Sequence, residues 1–258
     1  MQALKTDLQQ VVEQLEGQLD LAQKELLEYA RDLRKLVDME REKSRLLEQS
    51  HFVALRRLAN ICELRDNDTG QHIKRISSYV RYIADQMQLP DNQVDILARA
   101  SCLHDLGKIA VPDRVLLKQG KLDDDEWQVM RRHPEFGASL LEGDNSPLME
   151  VAREISLTHH EKFDGTGYPY GLRSNHISIA GRITMVADVY DALRSDRPYK
   201  RGFSHEQTSQ IILEGDGRTS PTDFDPELLG IFQLNHERFN DIYEQDTQDV
   251  LSVGVISN

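Results

Sequence analysis

The sequence predicts an all-α protein, a helical domain preceded by a long coiled-coil helix. Three observations carry that expectation. Residues 1–50 hold one Gly, no Pro and a dense mixture of Leu, Gln, Glu, Lys and Arg, which is helix composition. From residue 51 onward the composition is that of a globular domain, and apolar residues recur at the 3.6-residue spacing of amphipathic helices. Strands are hard to find.

The leading segment sets the first boundary. Counting in sevens places Val12, Leu19, Leu26 and Leu33 at one core position and Leu8, Leu15, Ala22, Tyr29 and Leu36 at the other. About four heptads are therefore sustained. Glu40 and Lys43 occupy the next two core positions before Leu47 restores the seam. A helix with so narrow an apolar stripe cannot bury it alone, so residues 1–50 are expected to pair with a second copy as a parallel homodimer. Folding back on the following domain, or serving as a solvated linker, are the other two readings. The break at Glu40 and Lys43 is where the paired helices would splay, a route for the signal of an upstream input domain or signalling partner.

Residues 51–258 make the second domain. Helices are predicted over 51–64, 70–88, 92–107, 123–143, 147–161, 178–195, 204–214 and 226–243. They are punctuated by Pro90, Pro112, Gly120, the glycine cluster 165–171 and the 215–225 loop.

Charge and composition exclude several functions. With 31 Lys and Arg against 44 Asp and Glu, the net charge is −13, which argues against a module that holds duplex nucleic acid by bulk charge. Cys62 and Cys102 are too few for a disulfide framework or a Cys-rich zinc site. No segment has the order of a signal peptide, and no run of about 18 apolar residues could span a bilayer. A soluble cytoplasmic protein that does not enter a membrane is the expectation.

The nine histidines are more informative. His72 sits in the first turn of a predicted helix, His104 and Asp105 end another, His133 precedes Pro134, and His159 and His160 approach the glycine cluster. Asp188 lies inside the apolar helix VADVYDAL, where a carboxylate needs a partner. Adjacent helical residues point about 100° apart, so His104-Asp105 and His159-His160 can each serve two neighbouring metal ions. A nitrogen and oxygen donor set without thiolates suits Fe, Mn, Zn or Ni.

The strings HDLGK at 104–108 and HHEKFDGTGYPYGL at 159–172 resemble the HD-GYP family of the HD superfamily, phosphodiesterases that open cyclic di-GMP. The likeness extends to RDNDTGQH at 65–72, MRRHPEFGASLL at 130–141, ADVYDAL at 187–193, RPYK at 197–200 and FDPELL at 224–229. The resemblance implies that His72, His104, Asp105, His133, His159, His160 and Asp188 bind two or three divalent ions, Fe or Mn first and Ni or Zn as alternatives. Asp105 is the implied bridge, and Lys108 the lysine that follows the HD pair. Gly165, Thr166, Gly167, Tyr168 and Pro169 correspond to the GYP loop at the substrate. Arg182, Arg197 and Lys200 fall where the family keeps cations near the phosphates.

Two positions depart from the family pattern. Asp68 stands where many relatives carry a Glu associated with a third metal, which leaves the ion count open. Phe163 stands where Trp is frequent. The implied chemistry is two-metal hydrolysis. Asp105 and Lys108 are its catalytic candidates, Lys108 offsetting phosphoryl charge or helping to protonate the leaving 3′-oxygen. The product is linear pGpG, and a second cut to GMP is not written in these residues. The alternatives are an HD-type hydrolase of another nucleotide and a catalytically weak cyclic-dinucleotide sensor.

Overall fold

The structure is a computed structural model that describes residues 2–66, 71–196 and 201–254. Among these residues every regular element is helical. Residues up to Val53 form one compact unit and those from Ala54 a second.

Helix α1 (Gln2–Arg65) carries the heptad seam. Within the first unit Val12, Leu19, Leu26 and Leu33 keep between 46% and 69% of their surface exposed. Solvated pairs one turn apart, such as Lys24 with Asp20 at 2.7 Å and Lys35 with Asp32 at 3.1 Å, decorate the helix. Each is worth only a few tenths of a kcal/mol. Lys43 and Glu40, the residues that interrupt the seam, lie 3.8 Å apart as one more exposed pair.

The second unit is built on α2 (His72–Gln86), α3 (Asp91–Ala100), α7 (Pro147–Thr158), α8 (Ile179–Arg194) and α10 (Pro226–Gly254). Its apolar faces meet in an aromatic layer. Tyr79 of α2 stacks on Phe239 of α10 with ring centres 5.2 Å apart, and Tyr190 of α8 meets both edge-on. The three rings are fully buried and set the spacing of the helices that carry His72 and Asp188. Local caps fix where the helices start. Ser146 precedes Pro147 and accepts from Met149, and Ser178 accepts from Gly181 at 3.1 Å. Ser204 and Gln207 form a capping box on α9 (His205–Glu214).

Two predicted helices are corrected. The helix expected over 92–107 stops at Ala100 and continues as tight 3₁₀ turns over Ser101–Leu103 and Leu106–Ala110. The cause is a backbone contact: a Cβ on Gly107 would lie 1.9 Å from the His133 carbonyl oxygen. Only glycine lets this stretch, with Asp105 and Lys108, approach α6 (His133–Leu140). The helix expected over 123–143 divides into α5 (Asp124–Met130) and α6, because Pro134 has no N–H to continue a ladder and is tolerated only in a first turn. The short α4 (Asp113–Leu116), unforeseen in the sequence, follows Pro112 and buries Val115 and Leu116 with Val111.

Candidate metal centre

The seven described metal-ligand candidates come from helix ends and turns, with Asp188 as the exception inside α8. That placement has a consequence, because the last carbonyls of a helix lack intrahelical partners. His104 Nδ1 lies 2.8 Å from the Ser101 carbonyl, His133 Nδ1 lies 2.8 Å from that of Met130, and His159 Nδ1 lies 3.0 Å from those of Ile155 and Ser156. A carbonyl only accepts, so each of these rings donates from Nδ1 and presents the lone pair of Nε2. His72 is oriented in the same way through a carboxylate, its Nδ1 lying 2.8 Å from Asp191 Oδ2, and it turns Nε2 toward Asp188. Tying one ring nitrogen to a carbonyl or carboxylate is how metal-binding histidines are oriented.

The Nε2 atoms converge in two groups. Asp105, His133, His159 and His160 form one, and His72, His104 and Asp188 the other, with ligand atoms in each group within 4.8 Å of one another. Asp105 stands between them. Its Oδ1 is 3.1 Å from His133 Nε2 and 3.6 Å from His159 Nε2, while Oδ2 is 3.4 Å from His104 Nε2. Asp188 Oδ1 is 3.5 Å from His72 Nε2 and 3.9 Å from His104 Nε2, which supplies the partner that a carboxylate inside α8 requires.

The electrostatics favour added positive charge. Burial pulls the His72 imidazolium down, but Asp191, Asp188 and Glu63 outweigh it and push the pKa up to about 10. Burial also lowers His159, and with its histidine neighbours it holds His160 well below the usual range, so both rings are neutral and offer lone pairs. Among the described residues, His104 Nε2, fully buried, has no hydrogen-bond partner. An inward-facing orphan nitrogen among carboxylates and neutral imidazoles fits divalent cations, and the donor set is hard to explain as a packed core.

The cavity beside these residues encloses about 860 Å³. Lys108 lines it, with Nζ 2.9 Å from both Asp105 Oδ2 and Asp66 Oδ2. The lysine reaches the cluster from the 3₁₀ turn Leu106–Ala110. Of the GYP segment, Thr166, Gly167 and Tyr168 line a smaller adjoining cavity, whereas Gly165, turned at a φ of 86°, and Pro169 line neither. Gly167 is obligatory, since a Cβ there would sit 2.2 Å from the Lys162 nitrogen. Arg182 is not brought to either cavity. Its guanidinium pairs with Asp225, tying α8 to the start of α10, so the expectation that it faces phosphate is corrected. Asp68, Arg197 and Lys200 lie outside the described residues.

Several residues that position the site were not singled out in the sequence. Asp191, one turn after Asp188, holds His72 and also accepts from Arg75 Nε at 2.6 Å. Burial raises its carboxyl, but the Arg75 and His72 bonds outweigh this and lower it to about 2. Glu161, fully buried, accepts from the Tyr170 and Leu172 N–H groups at 2.7 and 2.9 Å and pins the far side of the GYP loop. Lys118, Arg201 and Arg218 add cations to the large cavity. The available signal was an Asp or Glu next to a motif residue, too common in a chain this acidic to be read alone.

A family model described as HD domain matches residues 56–228. The chain is 42% identical over 182 residues to 3′3′-cGAMP-specific phosphodiesterase 2 of Vibrio cholerae, an alignment spanning 70% of this chain and 34% of that protein. It is 42% identical over 200 residues to a cyclic di-GMP phosphodiesterase of the same organism, spanning 72% and 40%. Against a cyclic di-GMP phosphodiesterase of Thermotoga maritima it is 36% identical over 198 residues, spanning 77% and 53%. The chain thus spans about a third to a half of the length of these relatives. A solved cyclic GMP-AMP-specific phosphodiesterase of V. cholerae shares the fold, with a TM-score of 0.52 at 17% identity over 75% of this chain and 53% of that one. Among the described residues no helix is long and apolar enough to cross a membrane.

Proposed function

From the chain's membership of the HD domain family, we propose that it is a metal-dependent phosphodiesterase that opens cyclic di-GMP to pGpG. The observation that carries this reading is the pair of ligand groups facing each other across Asp105. His72, His104 and Asp188 would hold one divalent ion, and His133, His159 and His160 a second, with Asp105 shared. Iron or manganese suits this nitrogen and oxygen set, with nickel and zinc next. Ions held there would supply Lewis acidity toward the phosphate and a water acidified to neutral pH.

The chain's own residues do the rest. Asp191, the backbone carbonyls and the helix ends hold the ligand rings before substrate arrives, so little reorganisation remains. Lys108, fixed between two carboxylates, is a standing positive charge against the phosphoryl oxygens. Lys118, Arg201 and Arg218 place cations on the cavity wall among Glu63, Asp66 and Asp196, points of attachment for dinucleotide phosphates in a protein of net charge −13. The exposed seam of α1 supports a homodimer through residues 1–50, with an upstream input domain or partner as its source of control. The test is incubation of the purified chain with Mn²⁺ or Fe²⁺ and cyclic di-GMP, with products separated chromatographically and metal-chelated protein as control. Linear pGpG is the expected product. Because the relatives of equal identity include one named for 3′3′-cGAMP, that dinucleotide belongs in the same assay. Absence of hydrolysis of both with every metal would favour the sensor reading.

A further inference from the structure

A second cavity of about 300 Å³ adjoins the metal centre, with His160 and Val189 lining both spaces. Its outer wall is α5. Trp127 and Arg131, one turn apart, face Tyr168 of the GYP loop. The indole and phenol rings meet edge-on at 6.1 Å, and the Arg131 guanidinium lies 4.8 Å over the phenol ring. Tyr168 in turn stacks on His160 at 4.6 Å, which fixes this wall against the metal centre.

Three features set the cavity apart from ordinary packing. Trp127 is the chain's one tryptophan, and 44% of its surface is exposed. Its helix begins with an Asp123–Glu126 capping box and packs Val129 and Met130, but not Trp127, against the Val111, Val115 and Leu116 cluster, so the ring serves no part of that core. Finally, among the described residues no carboxylate lines the cavity, and while Lys162 is paired with Asp223 at 2.8 Å, Arg131 has no carboxylate partner. Leaving an indole in water forgoes a large burial gain. A flat, half-open aromatic wall beside an arginine fork is the surface that takes a nucleobase, which stacks on the ring and offers acceptors to the guanidinium.

We propose that this cavity is a base subsite: one purine of the cyclic dinucleotide stacks on Trp127, its acceptor edge meets Arg131, and the phosphodiester reaches the metal centre past His160. The space is at the lower end for ligand pockets, enough for one base and too small for the whole dinucleotide. The second base is left to the larger cavity. This inference rests on the proposed function, and its test separates the two.

Wild type, Trp127→Ala, Trp127→Phe and Arg131→Ala are compared on cyclic di-GMP and on bis(p-nitrophenyl) phosphate, a diester with no purine. Trp127→Ala is expected to raise KM for the dinucleotide about fivefold to a hundredfold. The ratio of kcat/KM values for the two esters should fall accordingly, with most of it restored in Trp127→Phe. Arg131→Ala should lower the same ratio. In the wild type, saturating pGpG should quench the emission of the single tryptophan. A ratio unchanged in Trp127→Ala, or equal losses on both esters, or unaltered emission, would overturn the subsite while leaving the phosphodiesterase reading intact. A wild type that cleaves only the purine-free ester would overturn the proposed function, and the subsite with it.

Discussion

Asp105 can serve both ligand groups because its two oxygens already face different histidines, Oδ1 toward His133 and His159 and Oδ2 toward His104. Replacing it with alanine leaves two half-sites with no shared ligand. Asp105→Ala is expected to lose bound metal and to abolish turnover, while Lys108→Ala keeps its metal and slows the reaction by about tenfold or more, the usual scale for one positioned charge. Elemental analysis beside the rate assay separates the two, and a Lys108→Ala protein with normal rate would remove the lysine from the mechanism. In the sequence the adjacent His-Asp and His-His pairs and the carboxylate inside VADVYDAL marked these residues as candidates, and the family resemblance named them as ligands. Arg182 was misread because its charge is taken up by Asp225, a residue 43 positions away whose proximity exists only after folding.

At the scale of elements, the site depends on turns more than on helices. The 3₁₀ stretch Leu106–Ala110 delivers Asp105 and Lys108 to α6 because Gly107 can touch the His133 carbonyl. Glu161 holds the GYP loop by two backbone N–H bonds, so Glu161→Ala strands those donors at a cost of about 1–3 kcal/mol. The melting temperature should fall, and KM for cyclic di-GMP should rise while metal content stays at the wild-type level. Calorimetry, kinetics and elemental analysis check the three together, and lost metal would show that Glu161 supports the ligands rather than the loop. The helices of the core were readable from their 3.6-residue period, punctuated by Pro90, Pro112 and Gly120. The break at Ala100 was not, since 3₁₀ turns preserve nearly the same apolar spacing and the contact that tightens them is tertiary.

At the scale of the whole molecule, the seam of α1 and the metal centre make separate claims. Valine and leucine at 46–69% exposure over four heptads leave burial worth very roughly 1.5–3 kcal/mol per side chain before entropy is subtracted. Replacing Leu19 and Leu26 together with Asp should convert a dimer to a monomer in light scattering without changing metal content, and persistence of the dimer would move the interface elsewhere. The heptads were plain in the sequence, whereas what they pair with depends on a second chain. In the proposed site, two ligand groups joined by Asp105 hold at least two divalent ions. Elemental analysis of protein purified anaerobically without chelator, run beside the hydrolysis assay on the same sample, tests it most directly. Two or more ions per chain in active protein is the expected result, and active protein with a single ion at full occupancy would contradict it.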